Sequence, residues 1–252
     1  MSINVLNDHA PKPEWIEQFF ADGSSFLTYN SLGPDQDNRF KRFLKMAGLI
    51  SKDTTTPLFD VVRSIGVDSD GAWGIIYVNS AYDNPQINWY VSKMPIDKVF
   101  TRKEIEDMLI NGENLTPKVA TQIVRSYKRL VETPLGTILH MGTTSGKSID
   151  TLTRTKCSLH DDRVLLYALY RYAEACQDYY EFSLSRLMNT SIESAGLSPV
   201  KLFGFSEGEM TTMLNGLSAK YPEFINVTFT HGLDKISLQD DKTSEDVLKL
   251  FS

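Results

Sequence analysis

The chain has 252 residues, of which 41% are hydrophobic and 23% are charged, and its formal net charge is −6. This length supports one large domain or two small ones, and the composition is that of an ordinary globular protein. The acidic balance argues against a protein that coats nucleic acid non-specifically, and the apolar stretches are too short to span a bilayer. Cys157 and Cys176 form no metal-binding motif and indicate buried thiols, so a cytoplasmic location is expected.

The charge is distributed unevenly along the chain. Segment 115–156 carries seven basic and two acidic residues, whereas the segments before and after it are both net acidic. Such a concentration of positive charge indicates where an anionic partner would bind.

Helical periodicity and capping residues predict most elements of the first half of the chain. Residues 1–12 are expected to be a loose terminus. Helices are predicted over residues 13–21, 36–50, 57–65, 71–82, 85–93, 101–111 and 117–132. Thr101 with Glu104 forms a capping-box pattern, and Thr116 followed by Pro117 is typical of a helix start.

Two β-hairpins are predicted from runs of alternating apolar and polar residues. The first joins segments 135–141 and 147–155 through the turn 142–146, and the second joins 224–230 and 233–238 around His231-Gly232. Further helices are predicted over residues 161–176, 182–188, a short stretch after 198, 207–219 and 243–251.

Several small helices followed by a hairpin therefore occur twice, in residues 71–156 and again in 161–239. This order is what a winged helix requires. The sequence predicts a mainly α chain with small β-hairpins, organised as two winged-helix-like units in tandem. Their expected bounds are 71–156 and 157–252, after an N-terminal helical segment over 1–70.

The stretch Gly142–Ser148 resembles a nucleotide-binding phosphate loop, because it ends in Gly146-Lys147-Ser148. Its first glycine is one residue too close to the second for that motif. A phosphate loop must also open a helix, whereas Ser148–Thr155 alternates as a strand does. The favoured interpretation is a hairpin turn with a lysine at its rim.

The predicted helix 117–132 separates an apolar face from a basic one. Cationic and amide groups on such a face are those that contact phosphates and base edges when a helix lies in a major groove. The predicted contacts to double-stranded DNA are Lys118, Gln122, Arg125, Lys128 and Arg129 on this helix, with Lys147, Arg154 and Lys156 on the wing. A basic face that serves only solvation remains the competing interpretation.

Catalytic chemistry is not indicated by the remaining polar residues. The four histidines have no partners at metal-ligand spacings. His160-Asp161-Asp162 lies at a predicted helix start, where aspartate is favoured by the helix dipole. We therefore expect no enzymatic activity, no catalytic residue, no metal and no cofactor.

Six stretches resemble a known family. They are FKRFLKMAGLI (40–50), AWGIIYVNSAYDNPQINWYV (72–91), FTRKEIEDML (100–109), SYKRLVETPLG (126–136), LLYALYRYAEA (165–175) and GLSPVKLFGFSEGEM (196–210). They are similar to the accessory region attached to, or encoded beside, phosphoadenosine phosphosulfate reductase family proteins in bacterial DNA-modification and phage-defence loci. The resemblance covers roughly residues 26–251 and implies a reductase-like partner and a DNA-related context, without any active-site residue.

These observations favour a DNA-binding accessory protein that presents DNA to a partner enzyme. A protein-interaction adaptor is the alternative, with Trp89-Tyr90 and Tyr179-Tyr180 as docking surfaces and no direct DNA contact. A transcriptional regulator would use the same basic helix. The acidic second unit is expected to bind protein or to support the fold.

Overall fold

A computed structural model describes residues 3–190, 195–230 and 233–251. It divides into two compact units, Met1–Ser158 and Leu159–Ser252. The predicted N-terminal segment 1–70 thus belongs to the same unit as residues 71–156. The prediction of a mainly helical chain with small antiparallel hairpins is confirmed. Among the described helices, none has the length and apolarity needed to cross a membrane.

The first unit contains nine helices and five strands within its described residues. In chain order they are α1 (Pro13–Asp22), α2 (Ser24–Thr28), α3 (Pro34–Met46), β1 (Ile50–Ser51), β2 (Thr54–Thr55), α4 (Pro57–Ile65), α5 (Asp70–Asp83), α6 (Pro85–Lys93), β3 (Val99–Thr101), α7 (Arg102–Glu113), α8 (Pro117–Val131), α9 (Pro134–Thr137), β4 (Gly142–Ser145) and β5 (Thr151–Arg154).

Helix α5 lies in the core of this unit, as its apolar sequence predicts. Every residue from Gly71 to Ala81 is buried. Aromatic side chains of α1, α3 and α4 form a cluster in which Phe19 contacts Phe40 and Phe59 with ring centroids 6.2 and 5.1 Å apart. Edge-to-face and stacked pairs of this kind add to the stabilisation from burial itself.

The three-stranded sheet of the first unit has the order β3–β5–β4, and both pairings are antiparallel. Leu152 in the central strand lies opposite Phe100 of β3 and Thr144 of β4. Strand β3 immediately precedes α7 and pairs with β5, the second strand of the hairpin. This pairing joins the chain before α7 and α8 to the hairpin that follows them.

The first hairpin was predicted in the wrong register. Residues 134–137 form α9 instead of a strand, and the predicted turn 142–146 supplies β4. The actual turn lies between Ser145 and Thr151. Pro134, at the first position of α9, starts a helical turn whose amide groups bond back to Thr133 and Pro134, and this local structure overrides the alternating pattern.

The prediction of a loose N-terminus is wrong for the described residues from Ile3 onward. Val5, Leu6 and Ala10 are buried in the first unit. The amide of Leu6 donates to Gln86 Oε1 at 3.1 Å, and Arg39 Nη1 donates to the carbonyl of Val5 at 3.0 Å. The chain start is therefore held by both apolar burial and hydrogen bonds.

The second unit repeats this strand arrangement with different helices. Its elements are α10 (Asp162–Ala175), β6 (Glu181–Phe182), α11 (Leu184–Met188), α12 (Pro199–Phe203), α13 (Glu207–Lys220), β7 (Ile225–Thr230), β8 (Leu233–Leu238), α14 (Ser244–Leu248) and a 3₁₀ turn (Lys249–Phe251). The sheet order is β6–β8–β7, again antiparallel. The second predicted hairpin is confirmed, although its turn, His231-Gly232, lies outside the described residues.

Burial suppresses the reactivity of one of the two cysteine thiols. Cys157 is buried, and this burial raises the pKa of its thiol to about 12. We expect a thiol reagent at about pH 8 to modify Cys176 first and Cys157 only after unfolding, because the reactive thiolate is scarce far below the pKa. Thiol titration of native and denatured protein checks this, and two equally fast thiols in the native protein would contradict it.

Candidate nucleic-acid interface

Helix α8 is fixed at its start by a side-chain cap and along its length by a buried face. Thr116 Oγ1 accepts a hydrogen bond from the amide of Val119 at 3.4 Å, and Pro117 occupies the first position. Ile123 and Tyr127 are fully buried, and the Tyr127 hydroxyl donates to the carbonyl of Gln86 at 2.8 Å. This packing directs the polar face of α8 away from the core.

A cleft of about 290 Å³ opens between α8, the start of α7 and the turn from β4 to β5. The residues that line it are Arg102, Arg125, Lys128, Arg129, Glu132, Lys147, Ser148 and Ile149. Five of these side chains are cationic and one is a carboxylate, so the cleft attracts anions. The predicted residues Arg125, Lys128, Arg129 and Lys147 are thus brought together by the fold.

The turn on one side of this cleft is held through its main chain. Lys128 Nζ donates to the carbonyl of Lys147 at 3.0 Å, and Arg102 Nη1 donates to the carbonyl of Ser148 at 3.4 Å. Gly146 and Ile149 have positive φ angles of 76° and 61°, and the Ile149 side chain is buried. Two hydrogen bonds to main-chain carbonyls and the buried side chain of Ile149 therefore hold the turn in place.

This arrangement divides four of the five cations of the cleft into two groups, and the fifth, Arg125, has its Nη1 3.9 Å from Asp8 Oδ1. Lys128 and Arg102 also face carboxylates, Glu132 at 3.6 Å and Glu106 at 2.8 Å. Within the described part of the chain, the side chains of Arg129 and Lys147 have no hydrogen-bond or ion-pair partner. The second group supplies the charge that remains for a ligand.

Three other predicted contacts, Lys118, Gln122 and Lys156, do not line the cleft. Lys118 and Lys156 are exposed and lie outside the lining of the cleft. Gln122 is half-buried, and its Oε1 accepts a hydrogen bond from Asn4 Nδ2 at 3.3 Å. Gln122 is therefore already engaged by the start of the chain.

Arg154 has a structural position, and its assignment as a DNA contact is wrong for this structure. Only 3% of its surface is exposed. Its Nη1 donates to the carbonyls of Val91 and Met94 at 2.9 and 3.1 Å, at the end of α6. These last carbonyls of a helix have no partner within the helix, so the arginine completes the hydrogen bonding of α6.

Four lining residues were not predicted as site residues from the sequence: Arg102, Glu132, Ser148 and Ile149. Arg102 stands four residues before Glu106 on α7, a spacing that is typical of an exposed helical ion pair. The only sequence signal for Arg102 is its place at the start of the helix that precedes α8. Its approach to Ser148 depends on tertiary packing across 46 residues of sequence.

The docking surfaces predicted for an adaptor are mostly covered. Trp89 is 5% exposed and Tyr90 is fully buried, so neither offers a surface to a partner. Tyr179 is 49% exposed, beneath the guanidinium of Arg186 at 5.3 Å from the ring centre. An adaptor would thus have one of the two proposed aromatic sites.

The second unit lacks the basic face of α8 on its corresponding helix. In α13, Glu207 and Glu209 occupy the first turn, and Lys220 is the helix's basic residue. Lys220 Nζ lies 3.3 Å from a carboxylate oxygen of Asp162. The described residues of α13 therefore present no cluster of free cations to a phosphate backbone.

The fold and site define a helical protein with a three-stranded antiparallel sheet in each unit and a basic cleft in the first. No group of three or more His, Cys, Asp or Glu side chains within the described ranges is placed to hold a metal ion. The turn containing Gly146-Lys147-Ser148 leads into β5 and not into a helix, which agrees with the hairpin interpretation.

Comparison with solved structures shows a similar fold. A crystal structure of magnesium ion-bound SspB aligns with a TM-score of 0.71 and 13% identity, covering 96% of this chain and 85% of that one. A second SspB crystal structure aligns with a TM-score of 0.68 and 13% identity, covering 99% and 90%. No family model and no curated protein matches the chain.

Proposed function

We propose that the first unit is a winged-helix-like module that binds double-stranded DNA, with α8 as the recognition helix and the turn 146–150 as the wing. The cleft between α8 and this turn carries the proposal, because three separate elements converge there with five cations and one carboxylate. Solvation of an exposed helix face does not require such convergence. The strand order β3–β5–β4 around α7 and α8 also supports a winged-helix arrangement.

The phosphate backbone is the ligand that best matches this site. Arginine and lysine side chains supply charge-assisted hydrogen bonds to phosphate oxygens, and these contacts position a protein on a duplex. Arg125, Arg129 and Lys147 would take backbone phosphates, with Lys118 and Lys156 as further contacts. Arg102 and Lys128 would hold the wing in place.

The proposed role of the whole chain is that of a non-enzymatic accessory protein. Its first unit would hold DNA while its second unit, acidic and again built on a β6–β8–β7 sheet, would bind a partner protein. The resemblance to the reductase-associated region supports a partner of that family in a bacterial DNA-modification or phage-defence system. The likeness to SspB supports the fold and adds nothing about a ligand.

Titration of a short duplex at several salt concentrations tests the proposal. With about five phosphate contacts, the logarithm of affinity should fall with the logarithm of salt with a slope of about −4.5. That corresponds to roughly a five-hundredfold loss between about 50 and 200 mM salt. Absence of binding at the lowest salt would overturn the proposal, and copurification with a partner protein would then favour the adaptor function.

A further inference from the structure

The start of the chain lies against the polar face of α8. Val5 and Leu6 are buried, and the hydrogen bonds from the Leu6 amide to Gln86 and from Arg39 to the Val5 carbonyl fix the segment 3–8 in position. The segment is therefore held by α3 and α6, and its side chains contact α8.

Two side chains of this segment reach residues of α8 that the sequence predicts to contact DNA. Asn4 Nδ2 donates to Gln122 Oε1 at 3.3 Å, and Asp8 Oδ1 lies 3.9 Å from Arg125 Nη1. Gln122 and Arg125 are three residues apart on one helix, so they lie on the same side of it. The chain's own carboxylate thus occupies part of the space around a guanidinium of the proposed interface.

We infer that Asp8 is a built-in competitor of DNA phosphate at Arg125, so that the N-terminal segment lowers the affinity of the proposed interface. This inference rests on the proposed function. A carboxylate and a phosphate are both anionic acceptors for arginine, and an incoming phosphate must share Arg125 with Asp8 or displace it. The negative charges of Asp8 and of a phosphate bound at Arg125 also repel each other.

The strength of this competition follows from the exposure of the pair. Asp8 Oδ1 itself is buried, but Arg125 is 57% exposed, so solvent screens the contact from the side of the arginine. Val5 and Leu6 before Asp8 and Ala10 after it are buried, so detaching the segment from the unit would expose apolar surface and cost free energy. The result is a graded reduction of affinity and not an on–off switch.

The Asp8→Asn variant tests the inference because it removes the charge and keeps the size of the side chain. We expect it to bind a short duplex about two- to fivefold more tightly than the wild type at low salt, with the gain shrinking as salt rises. Asp22→Asn is the matched control, since it removes one exposed carboxylate at the end of α1. Equal affinities of the Asp8→Asn and Asp22→Asn proteins would overturn the inference.

A second measurement separates competition at Arg125 from a general change in charge. In an Arg125→Ala background, Asp8→Asn should give no gain, because the group for which the two anions compete is absent. A gain that persists in this background would also overturn the inference. Failure of the proposed function would appear differently, as the absence of duplex binding by the wild-type protein itself.

Discussion

Replacement of Arg125 and Arg129 together by alanine is expected to weaken duplex binding at least about tenfold, because each arginine loses charge-assisted contacts to phosphate. The salt dependence should also become shallower by about 1.8 in the log–log slope, which corresponds to two lost phosphate contacts. Arg125 is exposed and Arg129 is half-buried on α8, so the free energy of unfolding should change little. Duplex titration over a series of salt concentrations measures both effects.

A control with the same change in net charge distinguishes the cleft from the overall charge of the unit. Arg42 and Lys45 are exposed on α3 and do not line the cleft. The Arg42→Ala, Lys45→Ala protein should keep the wild-type slope. If the two double variants lose affinity equally, or if neither alters the slope, α8 is not the DNA-contacting helix.

Replacement of Arg154 by alanine is expected to lower the free energy of unfolding of the first unit by about 3 kcal/mol. The change leaves the carbonyls of Val91 and Met94 without their donor and opens a cavity under the sheet. The three tryptophans of the chain, Trp15, Trp73 and Trp89, all lie in this unit. Urea unfolding followed by tryptophan fluorescence therefore reports on the unit directly.

Two comparisons make the Arg154 result specific. Arg42→Ala removes an exposed arginine and should change the free energy of unfolding by less than about 0.5 kcal/mol. Under conditions in which the Arg154→Ala protein is still folded, its salt slope for duplex binding should equal that of the wild type. A shallower slope with unchanged stability would return Arg154 to the DNA-contacting set.

The elements nearest the site were predictable where local chemistry decides the structure. Helix α8 was predicted over 117–132 and is observed over Pro117–Val131, because a threonine cap, a proline and an amphipathic pattern all agree. The strand β3 was missed, since Val99–Thr101 is short and gains its structure from pairing with β5. Three residues are too few to show the alternation of apolar and polar residues that is typical of a strand.

Arg154 shows how a prediction from charge and from position in a hairpin can fail. Leu152 and Arg154 are two residues apart in a strand, so they share a face, and Leu152 is fully buried. The alternation therefore already indicated that the arginine points inward. The convergence of Arg102 with Lys147 and Ser148 had no comparable signal, because it depends on how α7 and the hairpin pack together.

Because the wing is held through the main-chain carbonyls of Lys147 and Ser148, the side chains at these two positions are free to vary. Every residue type offers the same carbonyl group to Lys128 and Arg102, so substitutions at positions 147 and 148 need not move the turn. Related chains can exchange these two side chains and keep the scaffold that presents them. The same two positions are where an engineer would place a library to alter the preferred ligand of the cleft.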